Sequence, residues 1–298
     1  MSTQLPPEKK ESTTRSVVSL LVKVIVTILC FWYISRKIDF SQALEALQTA
    51  NWFFLFLTVL AYIASKLVAA YRLNIYFQNI RLHLSSWKNI KLYWLGMFYN
   101  LFLPGSISGD AYKVVILNKR YHAPYKKTSA AVLLDRFSGL LGLGVILCIY
   151  GVLVFENRYY DTVLIAGCLL AIAALYLVVR NFFADFIPGF LPTFFWGVVV
   201  QTIQVGGIYL ILSALHLTTN YQEWIFIFLA ASVISVLPLS LGGGLGTREF
   251  VFVEGATFFH LDTHVAVVIS LLFYLSSVVG SAWGAYFVFH DPLLEKKA

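Results

Sequence analysis

Residues 92–118 read LYWLGMFYNLFLPGSISGDAYKVVILN, apolar at both ends and broken in the middle by Pro104, Gly105, Gly109 and Asp110. Each apolar arm holds about 12 to 15 residues, roughly 18–22 Å as a helix, which falls short of a hydrocarbon core about 30 Å thick. Two short apolar helices around a Pro/Gly break predict a re-entrant hairpin. Residues 224–259 repeat the pattern, with Pro238, Gly242, Gly243, Gly244, Gly246, Arg248 and Glu249 in the break. The tips are alike: LPGSISGD at 103–110 matches LPLSLGGG at 237–244, with Leu, Pro, Ser and Gly in register and Ile107 opposite Leu241.

The rest of the chain sets the solvent. Of 298 residues, 59% are hydrophobic and only 12% charged, against about 25% charged in an average soluble domain. Mean hydropathy is +0.77. So few charges cannot cover the surface of a water-soluble domain, and so apolar a chain is not disordered. Cys30, Cys148 and Cys168 all lie in apolar runs, which excludes a disulfide scaffold. The net charge of +7 sits between hydrophobic segments, where the positive-inside rule and anionic headgroups explain it better than nucleic acid does. Nucleic acid is therefore not an expected partner.

Six segments are long enough to cross as helices: 17–34, 52–71, 129–155, 162–179, 193–215 and 264–289. The first contains Lys23 and lacks a small-residue cleavage site, so it reads as a retained helix rather than a signal peptide. Residues 1–16 read as a polar, disordered tail. Residues 72–91 carry Arg72, Arg81, Lys88 and Lys91 with no acid, and residues 119–127 carry Lys119, Arg120, Lys126 and Lys127 with no acid. Both flank the first hairpin and both point to the cytoplasmic side, so the hairpin enters and leaves on one face. Residues 216–223 and 261–263 lack Lys and Arg and suit the outside. Both termini then fall in the cytoplasm.

The expected fold is all-α: a polytopic membrane protein with six transmembrane helices and two re-entrant hairpins in an inverted repeat. The halves are 17–155 and 156–298, each with two spans, a hairpin and one span. A cell membrane, bacterial or archaeal, is the expected location.

Inverted repeats with interrupted helices are the plan of secondary transporters, whose substrates bind near the midplane at half-helix ends. Helix N-termini suit anionic groups, and glycine runs let backbone amides approach them closely. Charges at depth are expensive and mark function or internal pairing. Asp110 and Lys113 are spaced to share a helix face. Asp135 and Arg136 lie within a span, Arg248 and Glu249 follow the second break, and Glu254 comes further along. Lys66 is expected to snorkel from the end of its span. The candidate substrate-binding residues are Asn100, Pro104, Asp110, Lys113, Asp135, Arg136, Pro238, Gly243, Gly244, Arg248 and Glu249. Histidines fall at loops or helix ends; His260 and His264 have a metal-pair spacing, but Leu261-Asp262 between them reads as a turn. No P-loop, HExxH or nucleophile elbow is present, so neither a catalytic residue, a cofactor nor a metal is expected.

The blocks NLFLPGSISGDAYK (100–113), LLDRFSGLLGL (133–143) and PLSLGGGLGTREF (238–250) resemble, in order, the lysylphosphatidylglycerol synthase transmembrane family. The resemblance extends from about Val17 to Phe289. It implies a flippase-like module that moves a lipid between leaflets, fused in synthase members to an aminoacyl-transfer domain. The sequence ends nine residues after Phe289, so a stand-alone member without lysyl transfer is expected. Ser108 stands where the family often has Gly, and Lys113 where Arg is frequent; Lys gives up bidentate phosphate binding. The expected activity is translocation of an anionic, phosphate-containing phospholipid or polyprenyl lipid by alternating access. The alternative is a membrane-embedded enzyme acting on such a lipid, with Asp110, Asp135 or Glu249 as acid or base. Membrane lipids are the expected partners, with a lipid-modifying enzyme and further copies of the chain as additional candidates.

Overall fold

The computed structural model describes residues 48–102, 108–236 and 246–293, and four positions upstream, Ile25, Trp32, Leu44 and Glu45. The N-terminal tail, most of the first expected span, and Pro104, Pro238, Gly243 and Gly244 lie outside the described residues. Among the described residues the structure is helical and contains no strand. The helices are α1 (Trp52–Asn79), α2 (Ser86–Phe102), α3 (Ser108–Tyr121), α4 (Tyr125–Phe155), α5 (Arg158–Phe182), α6 (Ile187–Ala214), α7 (Tyr221–Val236), α8 (Thr247–Phe258) and α9 (Thr263–Ala282). A 3₁₀ turn (Ala184–Phe186) leads into α6, and another (Trp283–Ala285) carries α9 into a last turn, Tyr286–Phe289.

Five of these stretches are long and apolar enough to cross a membrane: Trp52–Asn79, Tyr125–Phe155, Arg158–Phe182, Ala184–Ala214 and Thr263–Phe289. They agree with five of the six expected spans and are longer at their ends. Local chemistry sets several starts. The Asn51 side chain accepts from Phe53 N at 3.0 Å and that of Asn157 from Tyr159 N at 2.9 Å. Asp262 accepts from His264 N at 2.7 Å and Val265 N at 3.2 Å, so Leu261-Asp262 is indeed the turn between the two histidines. Each of these side chains satisfies donors that a helix start leaves unpaired. Helix α5 buries only Val179 against the protein; a helix apolar all round and so little buried faces lipid.

The paired short helices fold back on each other. Helices α2 and α3 pack together, as do α7 and α8. At 17, 14, 16 and 12 residues, each arm is shorter than the roughly 20 residues a span requires. The α2–α3 crossing is tight: a Cβ on Gly109 would overlap the backbone of Gly96, and Asn100 Oδ1 accepts from Gly109 N at 2.9 Å.

Helix α6 is the centre of the bundle, packing most extensively on α1 and then on α4. It runs antiparallel to α1. Asn51 N donates to Ala214 O at 2.8 Å at one end, and Thr193 Oγ1 donates to Tyr76 Oη at 2.8 Å at the other. The α4–α6 crossing depends on the absence of side chains, since a Cβ on Gly142 would overlap the backbone of Gly197. Trp94 on α2 ties α9 in, donating from Nε1 to Gly280 O at 2.9 Å. Replacing Trp94 by Phe removes this buried bond and should cost about 1 kcal/mol, read as a small fall in melting temperature in detergent; an unchanged value would show that α2 and α9 are held by apolar packing alone.

Two hydrophobic clusters result. One gathers Leu73, Tyr76, Phe77, Leu92, Leu117 and Leu134 with Phe186 and Phe190. The other gathers Leu55, Leu143, Ile208, Phe228, Phe252 and Ile269. Between these clusters α1 carries Ser65, Lys66 and Arg72, and α4 carries Asp135, Arg136 and Ser138.

Candidate functional site

A cavity of about 350 Å³ opens where the two clusters part. Its walls carry Lys66 and Arg72 from α1, Asp110 and Lys113 from α3, Asp135 and Arg136 from α4, and Arg248 from α8. The cavity also has a neutral polar wall of Gln201, Gln204, Ser232, Ser235, Ser277 and Ser281. Segments far apart in sequence thus bring cations and hydrogen-bonding groups to one place inside an apolar molecule.

Each carboxylate is held. Asp135 Oδ1 accepts from Arg72 Nε at 2.7 Å, both side chains being buried. Asp110 is shared: Oδ1 takes Lys113 Nζ at 3.0 Å, and Oδ2 takes Arg136 Nε. The i, i+3 spacing on α3 puts Asp110 and Lys113 on one face, as their spacing in the sequence predicts. Asp135 and Arg136, adjacent in sequence, serve different partners because neighbours on a helix point about 100° apart. Glu249 accepts from Gly246 N at 2.6 Å and from Ser270 Oγ at 2.9 Å, and stands 3.6 Å from Arg248 Nη2. Arg248 Nε in turn donates to Ser270 Oγ at 3.2 Å. Gly246, at φ 85°, turns the chain into α8 through a conformation that favours glycine.

Aromatic faces position the cations further. Lys113 Nζ lies 4.4 Å from the ring centre of Tyr93, Lys66 Nζ 4.8 Å from that of Tyr62, and Arg248 between Phe273 and Tyr274 at 5.6 and 5.4 Å. The Lys113 stem crosses Gly96, where a Cβ would overlap its Cε. The Arg72 guanidinium lies against Gly139 and Gly197, and its Nη1 is buried without a hydrogen-bond partner among the described residues, as is Arg248 Nη2.

The structure therefore brings Asn100, Asp110, Lys113, Asp135, Arg136 and Arg248 to one cavity, with Glu249 behind Arg248. Asn100 also lines it, with its side-chain oxygen committed to the α3 N-terminus. Glu254 is elsewhere, in a separate hollow among Phe155, Phe226, Phe250, Phe258 and Phe259. Two cations depart from the sequence reading. Lys66 lines the cavity instead of snorkelling, and Arg72 is buried within α1 rather than in a cytoplasmic loop. The signal for Arg72 is present in the chain: the apolar pattern continues through Leu73, Ile75, Tyr76 and Phe77, so the charge interrupts a helix rather than ending it. Gln201 and Gln204, three residues apart in an apolar span, are the corresponding sign of the neutral wall.

Comparison with known proteins agrees with this architecture. A UPF0104 membrane protein of Pyrococcus horikoshii is 26% identical over 119 residues, covering 39% of this chain and 34% of that protein. The chain thus spans about a third of the length of that curated relative. The model of the lysylphosphatidylglycerol synthase TM region matches residues 20–284, nearly the whole chain. With hydrophobic helices long enough to span a bilayer several times over and a family model matched over residues 20–284, the chain is a multi-pass membrane protein of the lysylphosphatidylglycerol synthase TM region family.

Proposed function

We propose that the protein moves an anionic, phosphate-bearing lipid between the leaflets of a cell membrane. The observation that carries this reading is the cation-rich cavity between two apolar clusters. Ionisable groups so placed are costly unless they pair or receive a ligand. Lys113, Arg136 and Arg248 hold the phosphate; Asp110, Asp135 and Glu249 orient the cations. All three carboxylates are engaged by cations or by hydroxyl and amide donors, which favours binding over acid–base chemistry on the lipid.

The arrangement of helices supports alternating access. If 17–155 and 156–298 are inverted repeats, α1 corresponds to α6, the α2–α3 hairpin to α7–α8, and α4 to α9. Corresponding elements related by an axis in the membrane plane run antiparallel, as α1 and α6 do. The pairing of α4 with α7 then has its counterpart in α9 and its 3₁₀ turn against α2. The two hairpins are re-entrant in this reading, one from the cytoplasm and one from outside, and the halves rock about the cavity.

A reconstituted assay tests the function. Vesicles containing the wild type and a dye-labelled phosphate-bearing lipid should show transbilayer movement, and Arg248→Ala should slow it by about tenfold or more, the usual scale for loss of a buried charged contact. Wild-type vesicles that move no phosphate-bearing lipid, or a purified protein that chemically alters the lipid, would overturn the reading.

A further inference from the structure

Among the described residues, the cavity's charges do not balance. Arg72 faces Asp135 and Arg248 faces Glu249, each cation with its own carboxylate. Lys113 and Arg136 both converge on Asp110. Lys66 lines the same cavity over the Tyr62 ring, with no carboxylate of the described residues in salt-bridge range. The described walls thus present five cations against two carboxylates, with Glu249 behind them, and two positive charges remain. The hairpin tips at 103–107 and 237–245 carry no ionisable residue that would change the balance.

From this we infer that the cavity is matched to a phosphomonoester headgroup, a single phosphate that carries up to two negative charges, rather than to a phosphodiester with one. Lys66 is the residue that makes the difference. The inference rests on the anionic-lipid reading and names its substrate class. In a cavity partly shielded from water, charge mismatch is less screened than in bulk solvent, so a monoanion leaves one cavity cation unanswered and a dianion leaves none. Ammonium groups are well suited to a small dianion, since Lys66 and Lys113 each bring a compact point charge on a flexible stem. The neutral wall of glutamines and serines adds hydrogen bonds without adding charge.

Lipid retention on the purified full chain, read by native mass spectrometry, tests the inference separately from transport. Phosphatidate, phosphatidylglycerol and cardiolipin of the same acyl chains are offered at pH 8. Phosphatidate should be retained about tenfold over phosphatidylglycerol. Lys66→Gln should remove that preference, Lys66→Arg should restore it, and Lys119→Gln, at an exposed site on α3, should leave it intact. Lys66 has no ion pair to break among the described residues, so Lys66→Gln is expected to fold, which an unchanged melting temperature verifies. Equal retention of phosphatidate and phosphatidylglycerol by the wild type, or a preference that survives Lys66→Gln, overturns the inference. Preferred retention of cardiolipin overturns it in favour of two separate phosphodiesters. Glycerol 3-phosphate that displaces phosphatidate at equal concentration points to a soluble phosphomonoester and overturns the lipid assignment. If the phosphatidate preference holds while no lipid crosses the vesicles, translocation fails and the inference stands; if lipids cross without preference, the reverse is true.

Discussion

Asp135→Ala should lower stability by about 3–5 kcal/mol, the cost of leaving a buried cation without its partner. Arg72 cannot escape. Its residue is 5% exposed, its Nε is committed to Asp135, and its guanidinium is wedged against Gly139 and Gly197 where α4 and α6 cross. One terminal nitrogen already lacks a hydrogen-bond partner among the described residues, so losing the carboxylate removes the charge-assisted bond that justifies the burial. For a chain of this size the loss should appear as a fall of about 6 °C or more in melting temperature. Replacing both residues, Arg72→Met with Asp135→Leu, should recover most of it, because a buried ion pair is often no better than apolar packing of similar volume. The cycle of single and double variants would then show a large coupling. A single Asp135→Ala that melts within about 1 kcal/mol of wild type would mean that Arg72 finds water, and that this part of the cavity is open.

The second large effect is expected at the α2–α3 crossing. Gly109→Val places side-chain atoms inside the Gly96 backbone, and backbone cannot swing aside as a side chain can. The arms must separate, at about 3 kcal/mol or more for overpacking of this kind. The Asn100–Gly109 bond is lost with the contact, and Asp110, the next residue, moves away from Arg136. Gly96→Ala supplies the contrast. Its methyl overlaps only the Lys113 Cε, near the end of a flexible stem, so stability should change by less than about 1 kcal/mol. The ammonium, however, is displaced from Asp110 and from the Tyr93 face. Lipid movement should fall about tenfold in Gly96→Ala, since small misplacements of a positioning group weaken function strongly. Equal behaviour of the two variants, in melting and in transport alike, would refute a tight α2–α3 crossing as the support of Lys113.

Much of this organisation is legible in the chain. The apolar runs mark five of the spans, and the Pro/Gly breaks mark the paired short helices, because both depend on local composition and chain length. The i, i+3 relation of Asp110 and Lys113 is readable for the same reason: helix geometry alone sets it. That Arg72 interrupts a helix is readable too, but that it and Lys66 line a site is not, because a charge in an apolar run has two meanings. It ends a span if it reaches water and lines a site if a partner helix covers it. Only α4, bringing Asp135 from 63 residues away, and the glycines on α4 and α6 decide which. Asp135 and Arg136 look like a unit in the sequence, yet the helix turns them toward different neighbours.

The sequence by itself determined the solvent of this protein, its helices and the places where they break, since a bilayer demands long apolar runs whose backbone bonds close within each segment. Which charge meets which, and that five cations face one cavity, only the tertiary structure decided. The pairings join residues on α1, α3, α4 and α8, and their electrostatic energy depends on distance and burial rather than on order along the chain.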